Sequence, residues 1–292
     1  MFKPSEILID AFLAHLRETY AASFGRSQPE HGDILADVGR ATLQRIARSN
    51  ALYHDLDHTM KVVLVGQDIL QGRIIRDGDV APVDWVRFIA SLLAFSVGFV
   101  RDVCPGDQGG RCAIDDRGGT IELPRGATDG FLWPYAAERG KLFARARFRG
   151  DPVLDPEILA ANIEYGRFPP PPDRNLETQT YGGLLRAAHF IGSAADPNFM
   201  AKLRPFFLEM EESGVARQLG NDGVAEFRAG YAALFWNTIH RVTRDGAEFL
   251  KYTPSGRQWL ANMYAQVLAE EHLMPAMGAT RLNGNGQHRA AG

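Results

Sequence analysis

Cysteine is scarce in this chain, with two residues, Cys104 and Cys112, among 292. So few exclude a secreted disulfide framework, and their Gly-rich surroundings read as a loop carrying unpaired thiols. A redox pair would need their Cα atoms within about 7 Å. Long apolar runs are also missing. No stretch reaches the roughly 18 to 20 uncharged residues of a membrane span, and the opening MFKPSEILIDAFLAHLRETY has the pattern of an amphipathic helix rather than a signal peptide. A cytoplasmic protein is expected, with no membrane partner. Charge of one sign is lacking as well. A formal net charge of -3 supplies no broad field for nucleic acid or an acidic membrane surface, so small molecules and proteins are the expected partners.

What the chain has is apolar content, 45% hydrophobic against 23% charged, enough to bury a large core. Apolar residues recurring every three or four positions predict helices over 7–16, 34–46, 59–70, 82–97, 156–163, 181–191, 199–212, 224–242 and 255–271. Ser5 fits an N-cap, and Pro156 and Pro254 fit helix starts. The exception is 101–125, RDVCPGDQGGRCAIDDRGGTIELPR, which has room for one short hairpin around DRGG with Asp115 and Asp116 as turn residues. A long irregular insertion directly after a core helix is expected to be functional. RFPPPPDR at 167–174 reads as a stiff connector and NGNGQHRAAG at 283–292 as a disordered tail. The expected fold class is all-α, one helical domain over 1–282 whose C-terminal helices occupy 204–273.

The chemistry begins at YHDLDHTMKV, Tyr53 to Val62, where His54 and His58 stand four apart near one face of a helix start. That spacing suits a metal or phosphate site. YHDLDHTMKVV is followed in order by SLLAFSVGFVRDVCPGD, LPRGATDGFLWPYAAERGKLF and GGLLRAAHFIGSAADPNF. Together these elements, over 50–203, resemble the HD-domain metal-dependent phosphohydrolases, especially their bacterial branch. The first also resembles the signature of cyclic-nucleotide phosphodiesterases.

The resemblance implies a helical bundle holding a divalent metal on a histidine, a His-Asp pair and a later aspartate. Matched to that pattern, the first ligand falls on His58, and His54 falls where the phosphodiesterases keep a general-acid histidine. The His-Asp pair falls on Phe95 and Ser96, the last aspartate on His189, and a further histidine of the bacterial branch on Ala136. Asp55 and Asp57 lie nearby but not at ligand positions. His58 and His189 are then what remains of the ligand set, and two imidazoles do not make a tight site. Each lost ligand contact weakens binding by on the order of a few kcal/mol. No metal or other cofactor is expected.

The function implied is a degenerate HD-domain protein that binds an anionic small molecule or a protein partner. Its pocket would be lined by His54, His58, Phe95, Ser96, Arg101, Asp102, Arg139, Lys141 and His189, the cations holding a phosphate or carboxylate. One alternative is an enzyme using His54 and His189 as metal-free acid and base. Another is a phosphohydrolase or phosphodiesterase with a displaced metal on His58, His189, Asp57 or Asp102. Plainer readings stand beside these. His189 also reads as a core histidine bonded to a backbone carbonyl, His240 as structural, and EMEES at 209–213 as a solvated helix end. Phe206, Phe207, Phe227, Tyr231, Phe235, Trp236 and Trp259 read as core packing or as the contact of a homodimer before they read as a cofactor box.

Overall fold

The apolar periodicity becomes helix along most of the chain. The computed structural model describes residues 3–170 and 177–282, with side chains through 272. In order they form α1 (Pro4–Phe24), α2 (Glu30–Ile46), α3 (Leu56–Asp77), α4 (Pro82–Val97), β1 (Arg111–Ala113) and β2 (Thr120–Glu122). A 3-10 helix (Asp129–Tyr135) leads into α5 (Ala136–Arg147). Then come α6 (Pro156–Ile163), α7 (Tyr181–Ala194), α8 (Leu203–Glu212), α9 (Val215–Gln218) and α10 (Val224–Leu234). A π-helical turn (Phe235–Ile239) leads to α11 (His240–Val242), α12 (Arg244–Leu250) and α13 (Pro254–Leu282). The fold is mostly α-helical, as expected. β1 and β2 pair antiparallel, Cys112 opposite Ile121, as the predicted hairpin. Asp115 Oδ1 accepts from the N–H groups of Arg117 and Gly119, both at 2.8 Å, and so makes the turn.

Helix α4 is the centre of the core. From Trp85 to Val97 every residue but Arg87 is buried, because α2, α3, α5, α6 and α7 all pack around it. The α4–α5 crossing is close enough that a Cβ on Gly98 would overlap the Ala136 carbonyl, and one on Gly140 would press on the Ala94 carbonyl. Helix α3 lies against α4, α7 and α12. Its start is set by Asp55, whose carboxylate accepts from the His58 N–H at 2.8 Å. Asp55→Ala is expected to cost about 1 kcal/mol in a urea titration, and to loosen the turn that carries His58.

Several local expectations are corrected. Helix α1 is capped at Lys3 with Pro4 in its first turn, so Ser5 is inside the helix. Helix α8 begins at Leu203 rather than 199, and the run 224–242 is interrupted by the π-helical turn. Helix α5 had no prediction, since its start is Ala-rich and its charges hide the buried face formed by Ala136, Ala137, Gly140 and Phe143. Half of the 167–174 connector and all of the 283–292 tail lie outside the described residues.

The 101–125 insertion is pinned from below by Arg139. Its guanidinium, fully buried, donates to the carbonyls of Gly98, Val100 and Ala113 and to both carboxylate oxygens of Asp107, at 2.6 to 3.0 Å. Cys104 and Cys112 are buried free thiols in the same place. Burial pushes Cys104 up to about 12, so it stays an inert thiol.

Candidate metal centre

Three histidines from two helices and a preceding turn meet in the core. His54 precedes α3, His58 sits in its first turn, and His189 comes from α7, the helix that packs along α3. One ring nitrogen of each lies within 4.8 Å of the other two. The ring centroids are 5.1 Å apart for His54 and His58, 5.7 Å for His54 and His189, and 5.2 Å for His58 and His189. The nitrogens with no hydrogen-bond partner are His54 Nε2, His58 Nε2 and His189 Nδ1, all shut off from solvent. Buried polar atoms are almost always paired. Three unpaired ring nitrogens on neighbouring histidines fit a ligand that all three could share.

Glu209 orients the first of them. The carboxylate, with no side-chain exposure, lies 2.6 Å from His54 Nδ1 and accepts from the backbone N–H groups of Tyr53 at 2.6 Å and His54 at 3.3 Å. Burial pushes Glu209 up, but His54 and these N–H groups outweigh it and hold the carboxyl below its ordinary range. An ionised carboxylate only accepts, so His54 Nδ1 carries the hydrogen donated to Glu209, and Nε2 is left without a hydrogen-bond partner beside the other two rings. Burial keeps the other two histidines neutral. Burial drives His58 well below its usual value, helped by His54 and His189, and drives His189 down to about 3, helped by His54.

Aromatic rings enclose the group. Phe99 stacks on His54 at 4.0 Å, Trp133 meets it edge-on at 4.7 Å, Tyr53 lies 4.8 Å from His58, and Phe95 meets His189 edge-on at 5.2 Å. Gly166 leaves the space that the Phe95 ring fills. Ser96 Oγ donates to the Leu92 carbonyl at 3.0 Å and is thereby satisfied within its own helix. Neither residue offers a donor to the histidines.

The cations expected around the pocket are elsewhere. Arg101 pairs with Asp129 and, with Asp102, borders a separate polar cleft. Arg139 is the peg under the insertion. Lys141 pairs with Glu138 at 2.8 Å and Glu164 at 2.6 Å. Asp57 is held by Lys61 at 2.7 Å and Lys202 at 2.6 Å, which also share Asp196. The structure thus brings together His54, His58, His189 and Phe95, keeps Ser96 one residue away, and separates Arg101, Asp102, Arg139 and Lys141 from them. It adds Glu209, which reads in sequence as a solvated helix end and is the most deeply buried carboxylate at the site.

The donor set does not fit the mixed imidazole and carboxylate site of a phosphohydrolase. Magnesium, calcium and manganese prefer oxygen ligands, and no carboxylate among the described residues faces the three ring nitrogens. Three imidazoles, one backed by a carboxylate, instead match what zinc, copper or another borderline metal selects.

Beside His189 opens an apolar cavity of about 50 Å³. Its walls come from α7, α8, α10 and the π-helical turn, and include Trp133, Phe190, Phe199, Phe206 and Phe227.

Comparison with curated proteins and with solved structures finds no match to this chain. A family model described as Npun_R2479-like matches residues 2–273, from the first helix through the metal-binding candidates to α13. The chain belongs to the Npun_R2479-like family.

Proposed function

We propose that this protein is a metalloprotein built on an HD-type helical scaffold, in which three histidines have taken the place of the phosphohydrolase ligand set. His54 Nε2, His58 Nε2 and His189 Nδ1 would hold one borderline divalent ion, with Glu209 fixing the His54 ring. The observation that supports this reading is the convergence of three buried, unpartnered ring nitrogens. Such an ion would supply Lewis acidity to a bound molecule. The protein's own residues would exclude bulk water, keep His58 and His189 neutral and hold the Nδ1 hydrogen of His54 on Glu209.

A second reading is supported by the short contact between Glu209 and His54. Without a metal, that pair would act as a general base through the buried His54 Nε2 beside His58 and His189, as in an enzyme working by acid–base catalysis. Metal content per chain separates the two. Untagged protein purified without chelator, supplied with zinc and freed of excess, is expected to retain close to one equivalent by inductively coupled plasma mass spectrometry. A content near zero with zinc, copper and cobalt alike would leave the metal-free base as the better reading.

A further inference from the structure

The walls of the cavity identify the class of molecule that meets the histidines. Of the residues lining it, Arg186 alone carries a formal charge, and its guanidinium lies over the Tyr165 ring at 5.7 Å. Among the described residues no carboxylate lines it. Lys61, Lys202, Lys141, Arg101 and Arg139, the cations a phosphate would need, are each held by acidic partners outside this space. A cavity of about 50 Å³ has room for about three or four water-sized spheres, hence for a molecule of only a few non-hydrogen atoms. Leu234, just before the π-helical turn, and Ile239, at its end, both stand in the wall. Such turns are frequent at functional sites.

We infer that the molecule reaching the three-histidine centre through this cavity is small, uncharged and apolar, a diatomic gas or a molecule of similar size, and not a phosphoester or other anion. This rests on the metal-centre reading above. Walls that include Phe199, Phe206 and Phe227 favour a species that needs no hydrogen bonds, because the cavity offers few polar partners and an unpaired polar group costs free energy there. His189, in the same wall, is where such a molecule would meet the three-histidine centre.

The test uses full-length protein loaded with cobalt(II), whose visible absorption reports imidazole ligation, together with xenon as an apolar probe. Xenon is expected to give a saturable shift in 129Xe magnetic resonance. Ala194→Met, which fills the cavity from α7, is expected to weaken that binding at least tenfold while the cobalt spectrum persists. Leu234→Phe fills it from the end of α10 and gives the same reading if the first variant fails to fold. Millimolar phosphate or acetate is expected to leave the cobalt spectrum unchanged. Absence of xenon binding, or a cobalt spectrum displaced by either anion, overturns the inference and leaves the metal centre standing. Absence of cobalt ligation overturns the metal centre itself, and the inference with it.

Discussion

Glu209→Ala is expected to lower the unfolding free energy by about 3–5 kcal/mol, measured by urea denaturation at neutral pH. Three donors end on this one carboxylate: the Tyr53 N–H, the His54 N–H and the His54 ring at Nδ1. Its removal strands them all in a site with no side-chain exposure and no route to water. Glu209→Gln keeps the shape and one acceptor but loses the charge, so it is expected to cost less stability. In the proposed metal site it should still weaken metal retention, by roughly 10- to 100-fold, because the ring that the carboxylate orients would be a ligand. The pH dependence follows from the direction of its shift. The folded carboxyl sits below its unfolded value of 4.5, so its contribution is fully present above that pH and is lost as the pH falls through the lower, folded value. A Glu209→Ala cost under 1 kcal/mol would mean that the Tyr53–His54 turn is held by something else.

The distance between what the sequence showed and what it concealed is clearest at this residue. Most helices were legible because burial on one face leaves a period of 3.6, and the hairpin because DRGG demands a turn. The His54–His58 spacing could also be read from the chain. Glu209 could not. It stands among Glu211, Glu212 and Ser213, and local composition makes that a solvated face. Only α8 packing its Phe207–Met210 side inward carries the carboxylate to a turn 155 residues away. The misplaced cations have a related cause. Arg101, Arg139 and Lys141 come from segments that border the pocket in the resemblance, yet each long side chain reaches away to a carboxylate whose position only the folded chain reveals. His54 was readable as a pocket residue, but its joining His58 and His189 as a third donor depended on the Glu209 contact.

Acid is expected to unfold the protein through its neutral histidines. His58 and His189 are held below the ordinary value of 6.5 by burial, His189 at about 3, so the unfolded chain binds two protons that the folded chain excludes. Stability from this source is complete above pH 6.5 and falls as the pH drops below it. The expected slope approaches about 2–3 kcal/mol per pH unit, two sites at about 1.4 each. Urea midpoints at pH 7, 6 and 5 measure it in a window above the range where Glu209 titrates, and His58→Leu, which removes one titrating ring, should roughly halve it. A flat profile across that window would mean that the rings are protonated in the fold, and so unable to ligate. Zinc adds a second handle, since it binds only deprotonated imidazole. Protein supplied with zinc should therefore be more stable than chelator-treated protein at pH 7, and the gap should close as the pH falls. Equal stability at every pH would leave the histidines buried and neutral but without the ion that their geometry invites.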